Sequence, residues 1–173
     1  IGRVLWDKGI GEFVESARKL KKSHPSAQCQ IAGKVDVDNV TAIGKSQVIK
    51  WENEGVIEYL GFHHDPRGFI EDADCVVLPS YREGLPRSLL EGAAMGRPLL
   101  ASDCPGCTDV VMDGVNGFVF RTKNSESLLS AMRRFIKLSF SERQQIGAAG
   151  RKIVEDRFDQ SLVHEAYLKV TTG

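Results

Sequence analysis

Apolar and polar positions alternate along the chain in two registers, one of helices and one of short strands. Residues 10–22, IGEFVESARKLKK, set Phe13, Ala17 and Leu20 on one helical face, with charges opposite and a basic last turn that suits the helix dipole. Residues 28–33, QCQIAG, predict a short strand ending at Gly33. A helix over 40–55 with Gly55 as its stop and a strand over 56–62 follow. Next come a short helix over 66–74 opened by Pro66, a strand over 75–80, a helix over 86–96 opened by Pro86 and closed by Gly96, and a strand over 97–102. DGVNGFVF, 113–120, is a turn feeding a last strand, and 125–170 divide into about three helices. The last of these sets Val163, Ala166, Tyr167 and Val170 on one face.

Strands that are short apolar runs, alternating with helices, predict an α/β fold: a Rossmann-like doubly wound parallel sheet of about six strands with helices on both faces. The opening IGRVLWDKG has a turn but little strand before it, so most of a first strand is expected upstream of residue 1. Sheets of this kind bind ligands outside the carboxyl ends of their strands, which directs attention to the loops after them.

Composition narrows the function classes. A chain of 173 residues, 42% hydrophobic, suits one domain over 1–173. Lys plus Arg equals Asp plus Glu at 23 each, so no long-range field favours nucleic acid. The four cysteines are too sparse for a secreted disulfide framework, and a cytoplasmic location is expected.

The segment PSYREGLPRSLLEG, 79–92, carries the chemistry. Glu83 follows the strand 75–80 and therefore sits on the ligand-binding rim. With Pro86 at the first helical position, the N–H groups of Gly84, Leu85, Arg87 and Ser88 lie near a positive helix end that receives a phosphate readily. Gly84 lets a ligand approach the backbone. Glu91, among leucines, alanines and glycine, predicts a desolvated carboxylate, which costs several kcal/mol (order of magnitude) unless partnered. Its partner is either a buried Arg or Lys, or a pair of ligand hydroxyls.

REGLPRSLLEGAAMGRP resembles the signature of the family 4 glycosyltransferases, retaining nucleotide-sugar enzymes of the GT-B fold, whose hallmark Glu-x7-Glu is matched by Glu83 and Glu91. GRVLWDKG is similar to that family's Gly-Arg-x(4)-Lys-Gly element, LGFHHDPRGFIEDADCVVLPS to its nucleotide-base loop and strand, and DGVNGFVF to its closing turn. The resemblance runs to about residue 170 and implies the C-terminal, donor-binding half of such an enzyme. It implies that Arg3 and Lys8 meet the donor diphosphate together with the backbone at Gly84, Leu85, Arg87 and Ser88. Glu91 would hold the ribose hydroxyls, Glu83 would face the donor sugar, and Phe62 and His63 would meet the base, with Gly33 also at the donor site. No metal or other cofactor is then expected, and UDP is the favoured nucleotide. A glycan or lipid-linked glycan at the inner membrane face is the implied acceptor. The acceptor-binding N-terminal domain has no counterpart in these residues, so this half alone is expected to bind nucleotide and transfer little. Gly92 replaces the family's usual Ala, and Asp109 its usual Glu.

Other patterns are set against this. DVD at 36–38 resembles a metal-binding Asp-x-Asp but also makes a helix-start loop. CPGC at 104–107 has the spacing of a redox dithiol, or is a plain turn. GIGEFV at 9–14 lacks the third small residue of a dinucleotide fingerprint. His63, His64 and Asp65 are adjacent, and neighbours on a strand point apart, so they converge poorly on a metal. RKLKK at 18–22 reads as an exposed basic helix end. A nucleotide-binding module without catalysis and a CPGC redox protein are the competing readings.

Overall fold

The computed structural model describes residues 1–158. In chain order the elements are α1 (Ile10–Ser23), β1 (Gln30–Ala32), α2 (Lys45–Asn53), β2 (Glu58–Gly61), α3 (Arg67–Asp72), β3 (Val76–Leu78), α4 (Arg87–Ala94), β4 (Leu99–Ser102), α5 (Cys107–Val110), β5 (Gly117–Phe120), α6 (Ser125–Ile136) and α7 (Phe140–Phe158). A 3-10 turn over Trp6–Lys8 precedes α1. The helix expected at 163–170 lies outside the described residues.

All ladders between these strands are parallel, as their apolar character predicts: β1 pairs with β2, and β4 lies between β3 and β5. Every residue of β4 is buried. Its side chains alternate between two cores, with Leu100 among Phe13, Leu128 and Phe118 on one side and Leu99 and Ala101 among Ile70, Leu89 and Val110 on the other. Helices therefore cover both faces, and each fully buried leucine contributes roughly 1.5–3 kcal/mol. On one face Ser16 ties α1 to α6, its hydroxyl 2.7 Å from the Glu12 carbonyl and 2.8 Å from that of Ser125. On the other, α4 packs against α7, where a Cβ at Gly150 would sit 3.7 Å from that of Ala93.

Two expectations change. The described residues hold five strands instead of about six, in groups of two and three. Between β1 and β3 lies a cavity of about 430 Å³ walled by residues of both, among them Ile31 and Val76, in place of a direct ladder. Residues 1–5 run extended past the end of β1, with Gly2 N–H donating to the Ala32 carbonyl at 2.9 Å and Val4 N–H to that of Lys34 at 3.0 Å. The second change is α2, which starts at Lys45 instead of 40. Residues 41–43 are engaged elsewhere: Trp6 N–H donates to the Thr41 carbonyl at 2.8 Å, and Ile43 N–H to that of Val4 at 3.0 Å. These long-range bonds outcompete the weak local helix propensity.

A Cβ at Gly92 would lie 2.8 Å from Val76 Cγ2, so the space a side chain would take there is filled from β3.

Candidate active site

The loops after β1, β2 and β3 and the start of α4 enclose a second cavity of about 430 Å³ at the carboxyl ends of the strands. Its wall brings together Arg3, Lys8, Gly33, Phe62, His63 and, from the 79–92 segment, Glu83, Arg87, Ser88 and Glu91. Two expected residues do not line it. A Cβ at Gly84 would meet nothing within 4 Å, and Leu85 is 59% exposed.

The centre of the cleft is an ion pair. Lys8 Nζ donates to Glu83 Oε1 at 2.6 Å, with the side chains 24% and 12% exposed. The lysine comes from the 3-10 turn before α1 and the glutamate from the loop after β3. Backbone approach explains how they meet: Tyr81 N–H donates to the Asp7 carbonyl at 2.9 Å. Gly9, at φ +68°, sits where a Cβ would lie only 2.0 Å from the Pro79 carbonyl oxygen. The ammonium has three donors and Glu83 takes one, so two can face an anion in the cleft.

At α4 the sequence expectation shifts by one residue. Pro86 is the N-cap and Arg87 the first helical residue. The Pro86 carbonyl accepts from Leu89 N–H at 3.0 Å and Leu90 N–H at 3.2 Å. The N–H groups of Arg87 and Ser88 thus remain the first-turn donors not drawn to Pro86, at the positive end of the helix.

Glu91 is the larger correction. Its side chain is 32% exposed, and its one ion pair among the described residues is a long 3.5 Å contact with Arg87, itself 88% exposed. The carboxylate faces the cleft instead of the core, because α4 buries Leu89, Gly92 and Ala93 and leaves position 91 on another side. Among the described residues no buried cation pairs with it, a side chain 32% exposed escapes the full desolvation cost, and such a surface pair contributes little.

Arg3 is exposed. Phe62 is 53% exposed, with its ring edge-on to His64 at 5.1 Å, while His63 stacks edge-on to Phe69 at 4.7 Å. Phe69 carried no chemical signal in its short helix, yet it lines the cleft. Gly33 is a close-approach position: a Cβ there would overlap the Gly2 carbonyl oxygen at 1.6 Å, so its role begins with letting the opening strand past.

The competing patterns find structural uses. Asp36 Oδ1 accepts from Lys45 N–H at 3.1 Å at the start of α2. Asp65 is held by Arg67, Nη2 to Oδ2 at 2.6 Å, and these bonds bring its carboxyl down to about 2. Arg18 and Lys19 of the basic run pair with Glu54 and Glu126, each at 2.6 Å. Cys104 and Cys107 are buried free thiols, and burial pushes the Cys107 thiol up, the opposite of a reactive dithiol. Asp109 is exposed in α5.

Tyr81 and Glu12 were not legible in advance, since only folding brings residues 69 apart together. The Tyr81 hydroxyl donates to Glu12 Oε1 at 2.7 Å, and Glu12 Oε2 is buried with no partner among the described residues. Burial first, then Glu12, push the phenol up to about 12 from its ordinary 10.0. Tyr81→Phe is expected to lower stability by about 1–3 kcal/mol, because it strips the half-buried Glu12 carboxylate of its donor. A raised folded value means the contribution is full below about pH 10 and lost as pH rises through about 12. Urea midpoints from pH 8 upward check both points: the wild type should lose more stability than the variant above pH 10, and parallel curves would refute the linkage.

A parallel α/β sheet with cations, carboxylates and a helix N-terminus gathered at its carboxyl edge defines a Rossmann-like ligand-binding domain with an anion-receptive rim. This chain belongs to the family described as Glycosyl transferases group 1, whose family model matches residues 1–153. Over 172 residues it is 31% identical to N,N'-diacetylbacillosaminyl-diphospho-undecaprenol alpha-1,3-N-acetylgalactosaminyltransferase of Campylobacter jejuni, covering 98% of this chain and 43% of that protein. The capsular polysaccharide biosynthesis glycosyltransferase CapM of Staphylococcus aureus is 25% identical, with 95% of this chain and 43% of that protein covered. The chain therefore spans less than half the length of these relatives. Among solved structures, Anabaena HepE in complex with UDP superposes with a TM-score of 0.85 at 21% identity, over 99% of this chain and 48% of that one. The C-terminal domain of LpcC, a group 1 glycosyl transferase of Francisella tularensis, superposes at 0.77 and 22% identity, over 92% and 84%. The expected family and the GT-B-type α/β fold both hold.

Proposed function

We propose that this chain is the donor-binding half of a retaining, metal-independent glycosyltransferase that takes its sugar from a nucleotide sugar, with UDP favoured. One observation carries the reading: one cleft is lined by Arg3, Lys8, the first-turn residues Arg87 and Ser88 of α4, and two acidic residues, Glu83 and Glu91. The diphosphate rests against the cations and the α4 terminus, which stabilise the charge that builds on the leaving phosphate. Glu91 accepts from the ribose hydroxyls, and the backbone at Phe62 and His63 meets the base. Glu83, oriented by Lys8, faces the sugar and stabilises an oxocarbenium-like carbon. The bond from the anomeric carbon to phosphate breaks, and its electron pair leaves with the nucleoside diphosphate. The acceptor hydroxyl attacks from the same face and yields its proton to the departing phosphate.

The choice of UDP is supported by the nucleotide bound in HepE. A lipid-linked glycan acceptor is supported by the diphospho-undecaprenol substrate in the name of the Campylobacter relative. Binding that acceptor falls to a separate N-terminal domain, working at the cytoplasmic face of the membrane, and this half alone transfers little.

Calorimetric titration of this chain with UDP, GDP and ADP, each with and without Mg²⁺, tests the reading. Binding of UDP in the absence of Mg²⁺ is the expected result. Binding that required Mg²⁺ would end the metal-independent mechanism, and no binding of any nucleotide would end the donor-site assignment. The module reading separates from the enzyme by turnover: the full-length protein should release UDP from a UDP-sugar.

A further inference from the structure

The loop that carries Glu83 is gripped by backbone on both sides, and we propose that Gly106 is a positioning residue for sugar transfer. It seats the Glu83–Gly84 peptide, and through it the Glu83 carboxylate. The inference rests on the donor-site reading given above. On one side the loop leans on the turn before α1, through the Tyr81 N–H to Asp7 carbonyl bond and the Lys8–Glu83 pair. On the other it leans on the loop after β4. A Cβ at Gly106 would fall 2.4 Å from the Gly84 carbonyl oxygen, 2.7 Å from that of Glu83 and 3.0 Å from the Glu83 carbonyl carbon. Gly106 also has φ +81°, so the position excludes a side chain twice over.

Which partner would yield decides the consequence. The loop over 103–107 is anchored. Cys104 and Cys107 on either side of Gly106 are 4% and 0% exposed, and Asp103 N–H donates to the Phe120 carbonyl at 2.8 Å. The Ser102 hydroxyl donates to the Ser80 carbonyl, fixing the end of β4 to the end of β3. Gly84, in contrast, is exposed, and on the side where a Cβ would project it has nothing within 4 Å. A methyl at 106 would therefore displace Glu83 and Gly84, away from a cysteine-anchored support that stays where it is. Arg3, Glu91 and the α4 terminus lie outside this contact and would keep their places. Donor binding should survive while the placement of Glu83 against the sugar is lost.

The test compares Gly106→Ala with Gly55→Ala in the full-length protein. Gly55 has a similar φ of +68°, but a Cβ there would meet nothing within 4 Å, so it reports backbone strain without the collision. UDP release is followed with UDP-glucose, UDP-N-acetylglucosamine and UDP-N-acetylgalactosamine, and UDP affinity by calorimetry. Gly106→Ala should lower kcat on the order of 10- to 100-fold, the scale set by an ångström of misplacement. Its UDP Kd should stay within about threefold of wild type, the signature of an interaction made in the transition state. A kcat no lower than that of Gly55→Ala, or a UDP Kd that rises in step with the loss of kcat, overturns the proposal. Should Gly106→Ala fail to fold, Ser102→Ala loosens the same support, and an unchanged kcat in that variant overturns it as well. A wild-type protein that releases UDP from none of the three donors defeats the functional reading itself and this inference with it.

Discussion

Replacing Glu91 with Gln should weaken UDP binding by about 10- to 100-fold while leaving the thermal midpoint near that of the wild type. The size follows from hydrogen bonds to a charged acceptor, worth about 1.5–3 kcal/mol, at about 1.4 kcal/mol for each factor of ten. Stability is spared because Glu91 has no strong partner to lose among the described residues. Its side chain is 32% exposed, and its contact with Arg87 is long, at 3.5 Å. Calorimetry with UDP gives the affinity, and thermal unfolding gives the control. Had this carboxylate been clamped inside the core, the same substitution would have cost stability first and binding second. A folded Glu91→Gln chain that binds UDP as tightly as the wild type would remove the ribose role from this residue.

Lys8→Ala should be the most damaging single change to turnover. Its ammonium serves two partners in the proposed reaction, the leaving diphosphate and Glu83, which it meets at 2.6 Å. Loss of one preorganised charge donor at a site of developing negative charge costs about 10²–10³ in kcat. Removing the lysine also leaves Glu83, 12% exposed, without its cation. Glu83→Gln, for its part, should lower kcat while UDP binding persists, since in the proposed reaction Glu83 faces the sugar and not the nucleotide. The double variant decides whether the pair acts as a unit: its kcat should fall little below that of Lys8→Ala, because neither residue keeps its function without the other. Losses that multiply instead would mean that the lysine and the glutamate act independently. All three rates are measured as UDP release by the full-length protein.

Much of the architecture was readable from local pattern. The amphipathic spacing around Phe13, Ala17 and Leu20 and the apolar runs at 75–80 and 97–102 predicted α1, β3 and β4 to within a few residues. The parallel sheet followed from strands too apolar to face water on either side. The errors share one cause. Helix α2 starts late because residues 41–43 bond to residues 4–6, and Pro86 caps α4 instead of entering it. In each case the deciding contact is far away in sequence or depends on a backbone angle that side-chain periodicity does not encode. The burial of Glu91 was misread for a related reason. Apolar neighbours in sequence need not be neighbours in space on a helix, where successive residues point about 100° apart.

Within the candidate site the division is sharper. Residue chemistry and order along the chain determined that Glu83 follows a strand, that a helix opens beside Pro86, and that Arg3 and Lys8 lie before the first helix. These are statements about short segments, and local sterics and propensity are enough to make them. The tertiary structure alone decided that Lys8 reaches Glu83, that Tyr81 ties its loop to Glu12, and that Gly106 supports the peptide beside Glu83. Such contacts exist only after long loops close and two cores form on opposite faces of one sheet, and no local pattern specifies which distant partner a side chain will meet.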